Sequence, residues 1–147
     1  MNYQVVYFSR TGNSKRVALK IAKGLFATTI EINDHKNWKG PIGYIRAGFY
    51  STVDKKVKIT LSQPLDKNLK TILVTPLWAG GIAPAARAFI RLYEKKDIHL
   101  VVTSIGSTVK DRKDYISVTD IIKREAHEDE VIEKFIIALN TKKMSDI

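Results

Sequence analysis

The sequence predicts an α/β domain built on a parallel sheet, on three observations. Strand-like and helix-like patterns alternate along the chain. Thr71–Leu77 and Ile98–Ser104 are short apolar runs of the kind that form buried strands, and Val5-Val6-Tyr7-Phe8 is a third. With 147 residues, 44% of them hydrophobic, the chain can bury one sizeable core, and its length favours a single domain over residues 1–147.

The elements follow in order. Tyr3 to Phe8 reads as the first strand. Lys15 to Phe26 reads as a helix with Val17, Ile21 and Leu25 on its apolar face and Lys15, Arg16, Lys20 and Lys23 mostly opposite. Thr28 to Ile32 is a β-branched second strand. Gly40-Pro41 punctuates, and Ile42, Ile45 and Phe49 predict a short helix over 42–53. Val57 to Leu61 alternates as a small extra strand or an extended connector. Thr71–Leu77 is a central strand expected to end at Pro76, which cannot donate to a ladder. Pro84 suits the first turn of a helix with Ala86, Phe89, Ile90 and Tyr93 on one face. Ile98 to Ser104 is the next strand, Tyr115 to Ile122 holds the last, and Val131, Ile132, Phe135, Ile136 and Leu139 stripe a final helix. Its acidic first turn (Glu128, Asp129, Glu130) and the lysines after its end (Lys142, Lys143) match the helix dipole.

The turn Ser9-Arg10-Thr11-Gly12-Asn13-Ser14, between the first strand and first helix, has the composition of a phosphate site. A helix start leaves N–H groups unpaired and carries partial positive charge. Ser9, Thr11 and Ser14 add hydroxyls, and Gly12 can take positive φ. An ordinary capped strand-to-helix turn is the alternative. Neither a G-x-x-x-x-G-K-[ST] loop nor a G-x-G-x-x-G fingerprint is present, which points away from nucleoside triphosphates and NAD and toward a monophosphate. In a doubly wound sheet the carboxyl ends of strands carry the ligand. Loops 9–14, 78–83 and 105–114 occupy such ends. A phosphate in the first and a flat ring against Trp78 in the second would together describe flavin mononucleotide, FMN.

Other features exclude or narrow. The absence of cysteine excludes disulfides and thiolate chemistry and permits the cytoplasm. No secretory leader and no stretch long enough to span a membrane can be read. The net charge of +10 is spread along the chain, reading as a solvated basic surface or as attraction for an acidic protein partner. Nucleic acid is a poor fit to so dispersed a charge. His35, His99 and His127 lack metal spacing, and Asp111, Asp114 and Asp120 read as surface charges. Trp38 and Tyr115 can pack in loops or border a ligand.

The chain resembles the flavodoxin family, and more narrowly its short-chain bacterial and archaeal members. Phe-Ser-Arg-Thr-Gly-Asn-Ser-Lys (8–15), Pro-Leu-Trp-Ala-Gly-Gly (76–81) and Val-Thr-Ser-Ile-Gly-Ser (102–107) carry the resemblance, with the order of elements over essentially the whole chain. It implies a three-layer α/β/α fold, a doubly wound, five-stranded parallel sheet in the order 2-1-3-4-5. It implies FMN, its phosphate wrapped by Ser9, Thr11, Gly12, Asn13 and Ser14 and by the Arg10 backbone. Pro76, Leu77, Trp78, Ala79 and Gly80 would border the isoalloxazine, and Gly106 and Ser107 would close its other side. Gly80 and Gly81 would let a peptide rotate toward flavin N5–H. The implied function is electron transfer between redox partners, by a monomer or weak dimer. An FMN-dependent NAD(P)H or quinone oxidoreductase, with Arg10, Lys15 or Arg112 as phosphate contacts, is one alternative. An activator of ribonucleotide reductase is the other. Two departures stand out: the chain is basic where many flavodoxins are acidic, and the segment joining its last two strands is too short for a full helix unless 107–114 make one turn.

Overall fold

The computed structural model describes residues 2–34, 58–78 and 81–145. The predicted helix over 42–53, Trp38 and His35 lie outside them. Among the described residues the strands are β1 (Tyr3–Tyr7), β2 (Thr28–Asn33), β3 (Thr60–Leu61), β4 (Lys70–Trp78), β5 (Gly81–Ile82), β6 (Ile98–Ser104) and β7 (Ser117–Ile122). The helices are α1 (Asn13–Leu25), α2 (Pro84–Leu92) and α3 (Glu128–Ser145).

The expectation of a five-stranded sheet is corrected. Among the described residues the sheet has seven strands in the order β3-β2-β1-β4-β6-β7, with β5 pairing on β4. β2-β1-β4-β6-β7 are mutually parallel, while β3 and β5 are two-residue antiparallel additions on β2 and β4. β3 falls in the alternating run over 57–61 expected as a small extra strand or an extended connector, whereas β5 escapes a periodicity reading because two residues carry no period.

Side-chain alternation divides the core in two. Tyr3, Val5 and Tyr7 of β1, Ile72 and Val74 of β4 and Val101 of β6 face α1 and α3, against Val17, Ile21, Ile132, Phe135 and Leu139. Val6, Leu73, Leu100 and Val102 face the opposite way, against Ala86 and Phe89 of α2. Pro84 opens α2 at the first helical positions, where a missing N–H costs no intrahelical bond.

Pro76 does not end β4, which runs on to Trp78. Val74 turns its backbone toward β1, its carbonyl accepting from Phe8 N–H at 3.0 Å. Pro76 has the same parity, so the position lacking an N–H faces the side from which β1 has already departed. The Pro76 carbonyl on that side accepts from Ala83 N–H at 3.2 Å.

Residues 105–116, joining β6 to β7, form neither a helix nor a single helical turn. Asp120 organises them instead, accepting from Val109 N–H at 3.1 Å and pairing with Arg112, whose guanidinium also donates to the carbonyls of Val109 and Val118. Asp120 is therefore no surface charge; its side chain is 12% exposed. Arg112 is bound to this loop rather than directed at a ligand. Tyr115 packs on the apolar core under Lys95, and burial pushes its hydroxyl up to about 12.

Candidate functional site

Strand order reverses between β1 and β4: the chain leaves β1 for β2 on one side and returns to β4 on the other. Crevices outside the carboxyl ends of strands form at such a point. A cavity of about 260 Å³ lies there. Ser9, Arg10 and Thr11 follow β1 into its wall, and Asn13, Ser14 and Arg16 of α1 continue it. Pro76, Leu77 and Trp78 end β4 on the opposite side. Thr103, Ser104 and Ile105 come from β6, Ile121 and Lys123 from the end of β7, and Glu128 from the start of α3.

The loop before α1 has the local geometry of an anion cradle. Gly12 has φ +99°, and an added Cβ would meet nothing within 4 Å, so glycine is required there by backbone conformation rather than by crowding. Gly12 N–H donates to Ser9 Oγ at 3.0 Å, which closes the turn. The first intrahelical donor is Arg16 N–H, to Gly12 O at 2.9 Å. The N–H groups of Asn13, Ser14 and Lys15 therefore stand in the first turn without intrahelical acceptors. The Ser14 hydroxyl, 1% exposed as a residue, lies 2.8 Å from Thr103 Oγ1 and joins α1 to β6. Thr103 shares the parity of Val101, so the register of β6 directs it at α1.

Trp78 is more enclosed than a stacking platform. It is 7% exposed, packs edge-on to Phe8 at 5.6 Å, and carries the Arg10 guanidinium 5.8 Å from its ring centroid. Arg10 thus enters the wall by its side chain, where the resemblance implied only its backbone.

Charge at the cavity comes from Arg10, Arg16 and Lys123 against Glu128. Glu128 accepts from Arg16 Nη2 at 2.6 Å and Nε at 3.1 Å, and from Lys20 Nζ at 2.7 Å. The hydrogen bond from Arg16, reinforced by Lys20, holds the Glu128 carboxyl down at about 2. Arg16 Nη1 also donates to Asn13 Oδ1 at 2.9 Å.

Of the residues singled out from sequence, Ser9, Arg10, Thr11, Asn13, Ser14, Pro76, Leu77 and Trp78 meet around this cavity. Gly12 shapes the loop from outside the wall. Gly81 is held opposite Trp78 in the β4–β5 ladder, and Ala79 and Gly80 lie outside the described residues. Gly106 and Ser107 do not line the cavity: Ser107 folds back so that its N–H and carbonyl both bond Ser104 Oγ. On this side the cavity is lined instead by Thr103, Ser104 and Ile105, immediately before them in the chain. Arg16, Ile121, Lys123 and Glu128 were missed. The position of Thr103 and Ser104 at a strand's carboxyl end was the available signal for the β6 side. No local signal joins Arg16 to a residue 112 positions away.

Among the described residues no helix is long and apolar enough to cross a membrane. No protein-family model matches the chain, and no curated protein matches it in sequence. Solved structures do resemble it in fold. A flavoprotein from Lactobacillus acidophilus, solved in complex with FMN, superposes with a TM-score of 0.64 at 17% identity, over 88% of this chain and 97% of that one. A Bacteroides uniformis protein provisionally named a flavoprotein gives 0.68 at 16% identity, over 88% and 97% of the two chains. One from Bacteroides eggerthii, named in the same way, gives 0.66 at 14% identity, over 93% and 96%. At these identities the likeness is one of fold.

Proposed function

We propose that this chain binds FMN in the cavity at the strand switch point and acts as an electron-transfer protein. The observation that carries the reading is the convergence of two different walls on one space. One wall is the first turn of α1, with its unpaired N–H groups behind a left-handed Gly12. The other is Leu77 and Trp78 at the end of β4. A phosphate suits the first and a flat apolar ring the second. The fold it shares with a flavoprotein that was solved with FMN supports the same reading.

Each residue then has a task. Ser9 closes the turn by accepting from Gly12, which leaves the Thr11 hydroxyl and the N–H groups of residues 13–15 for the phosphate. The Ser14–Thr103 bond fixes the helix start against the sheet. Leu77, Trp78 and Ile105 exclude water from the ring's surroundings. Bound flavin supplies one- and two-electron redox chemistry. The net charge of +10 supports an acidic protein as the redox partner.

Titrating the purified chain with FMN tests the cofactor: quenched flavin fluorescence at stoichiometric protein is expected, and unquenched flavin overturns the reading. Electron transfer from chemically reduced, loaded protein to cytochrome c tests the role. Turnover of NADPH by the loaded protein alone would instead make it an oxidoreductase.

A further inference from the structure

We propose that Arg16 and Lys123 make the cavity selective for a doubly ionised phosphate group, adding two side-chain cations to the N–H donors of the loop at 9–14. The inference deepens the FMN reading, since it names what distinguishes the phosphorylated ligand from its neutral parent.

Arg16 reaches the cavity wall from α1 and Lys123 from the single 3₁₀ turn after β7, so the two cations approach from different elements. Arg16 is held at both ends of its fork. Nε and Nη2 donate to Glu128 at 3.1 and 2.6 Å, and Nη1 donates to Asn13 Oδ1 at 2.9 Å. These bonds use three of the five guanidinium hydrogens, leaving one on each Nη for a further acceptor. The side chain is ordered before any ligand arrives, so binding immobilises less. Glu128 lies in the same wall but divides its charge between Arg16 and Lys20. Asn13, which receives Arg16, sits in the first turn of α1, so the guanidinium is tied to the donors it would supplement. Lys123 makes no ion pair or side-chain hydrogen bond among the described residues. With both residues in the cavity lining, an unpaired ammonium beside an arginine leaves positive charge for an anion to neutralise, and a dianion gains from both.

The test compares dissociation constants for FMN and for riboflavin in the wild type, Arg16→Gln and Lys123→Gln. Each substitution is expected to weaken FMN roughly tenfold at low salt. Riboflavin should stay within about twofold of its wild-type value in both variants. Wild-type FMN affinity should rise as pH passes ~6, where a phosphate monoester loses its second proton, and the rise should flatten in the variants. Unchanged FMN affinity in both variants overturns the inference and leaves the flavin reading standing. Equal losses for FMN and riboflavin also overturn it, reducing Arg16 to a strut between α1 and α3. Lys123→Gln breaks no structural bond, so its result is independent of folding. If the wild type takes up no FMN, the flavin reading fails, and titration with inorganic phosphate followed by ³¹P NMR decides the anion pair alone. Weaker phosphate binding in the variants upholds it; equal binding in all three proteins overturns it.

Discussion

Ser14 Oγ and Thr103 Oγ1 lie 2.8 Å apart with both residues buried, pinning the first turn of α1 to the carboxyl end of β6. The contact adds a polar tie between the helix start at the cavity and β6, beside the apolar packing of Val17 and Ile21 on the sheet. Neither hydroxyl has another side-chain partner among the described residues, so each depends on the other.

Ser14→Ala or Thr103→Val alone is expected to destabilise the protein by about 1–3 kcal/mol, because a buried hydroxyl is left without its partner. The double variant should cost less than the sum of the two. Urea denaturation of the four proteins measures the coupling, and simple additivity would contradict the dependence.

Gly12→Ala should cost about 1 kcal/mol, since φ +99° strains any residue with a Cβ although space for the Cβ is open. The same variant should bind FMN more weakly than the wild type if relaxing the turn moves the N–H groups of residues 13–15. Denaturant midpoints and flavin titration read the two effects separately.

Acid should destabilise the protein in two steps. Burial, with Lys142 and Lys70 adding repulsion, pushes His99 down to about 4 from 6.5. The unfolded chain takes up this proton first, so stability falls as pH drops from 6.5 to about 4, by on the order of 3 kcal/mol. Glu128, held at about 2 by Arg16 and Lys20, contributes stability that is full above 4.5 and lost as pH falls toward 2. His99→Gln should flatten the first step and Glu128→Gln the second in stability-against-pH curves.

Asp120→Asn should cost about 1–2 kcal/mol, because it weakens a pair that is buried on the aspartate side only. Residues 105–116 should then be cleaved faster by protease, with β6 unaffected; unchanged cleavage would show that the loop is held by packing of Val109 and Tyr115 instead.

The parts of this fold that sequence made legible are those with a period. Val17 and Ile21, and Ile132, Phe135 and Leu139, repeat often enough to mark helix faces, and the buried strands declare themselves by continuous apolar runs. The alternation over 57–61 points to β3, while β5, at two residues inside a glycine-bearing loop, is too short for that. The extent of β4 past Pro76 depended on where a neighbouring strand stops, which is a tertiary fact. At the site, Gly12 and its hydroxyl neighbours were legible because backbone demand shows in residue type. Arg16 and Glu128 were not: on a helix surface a lysine-rich face and an acidic first turn have ordinary explanations, and only the packing of α3 beside α1 brings these two together. Gly106 and Ser107 lie outside the cavity wall, and sequence gives no sign of it, because a serine after a strand looks the same whether it faces a cavity or, as Ser107 does, bonds back to Ser104.

Among the described residues β7 is the last strand of the sheet, and no crossover helix lies in the loop that leads into it. Such an outer strand offers its free amides and carbonyls to any other extended chain. Asp120 sits in that strand with its carboxylate already engaged by Arg112 and Val109 N–H. The exposed member of the pair is Arg112, 45% accessible along its side chain, and a charge of that kind beside a border strand discourages templated self-association along it.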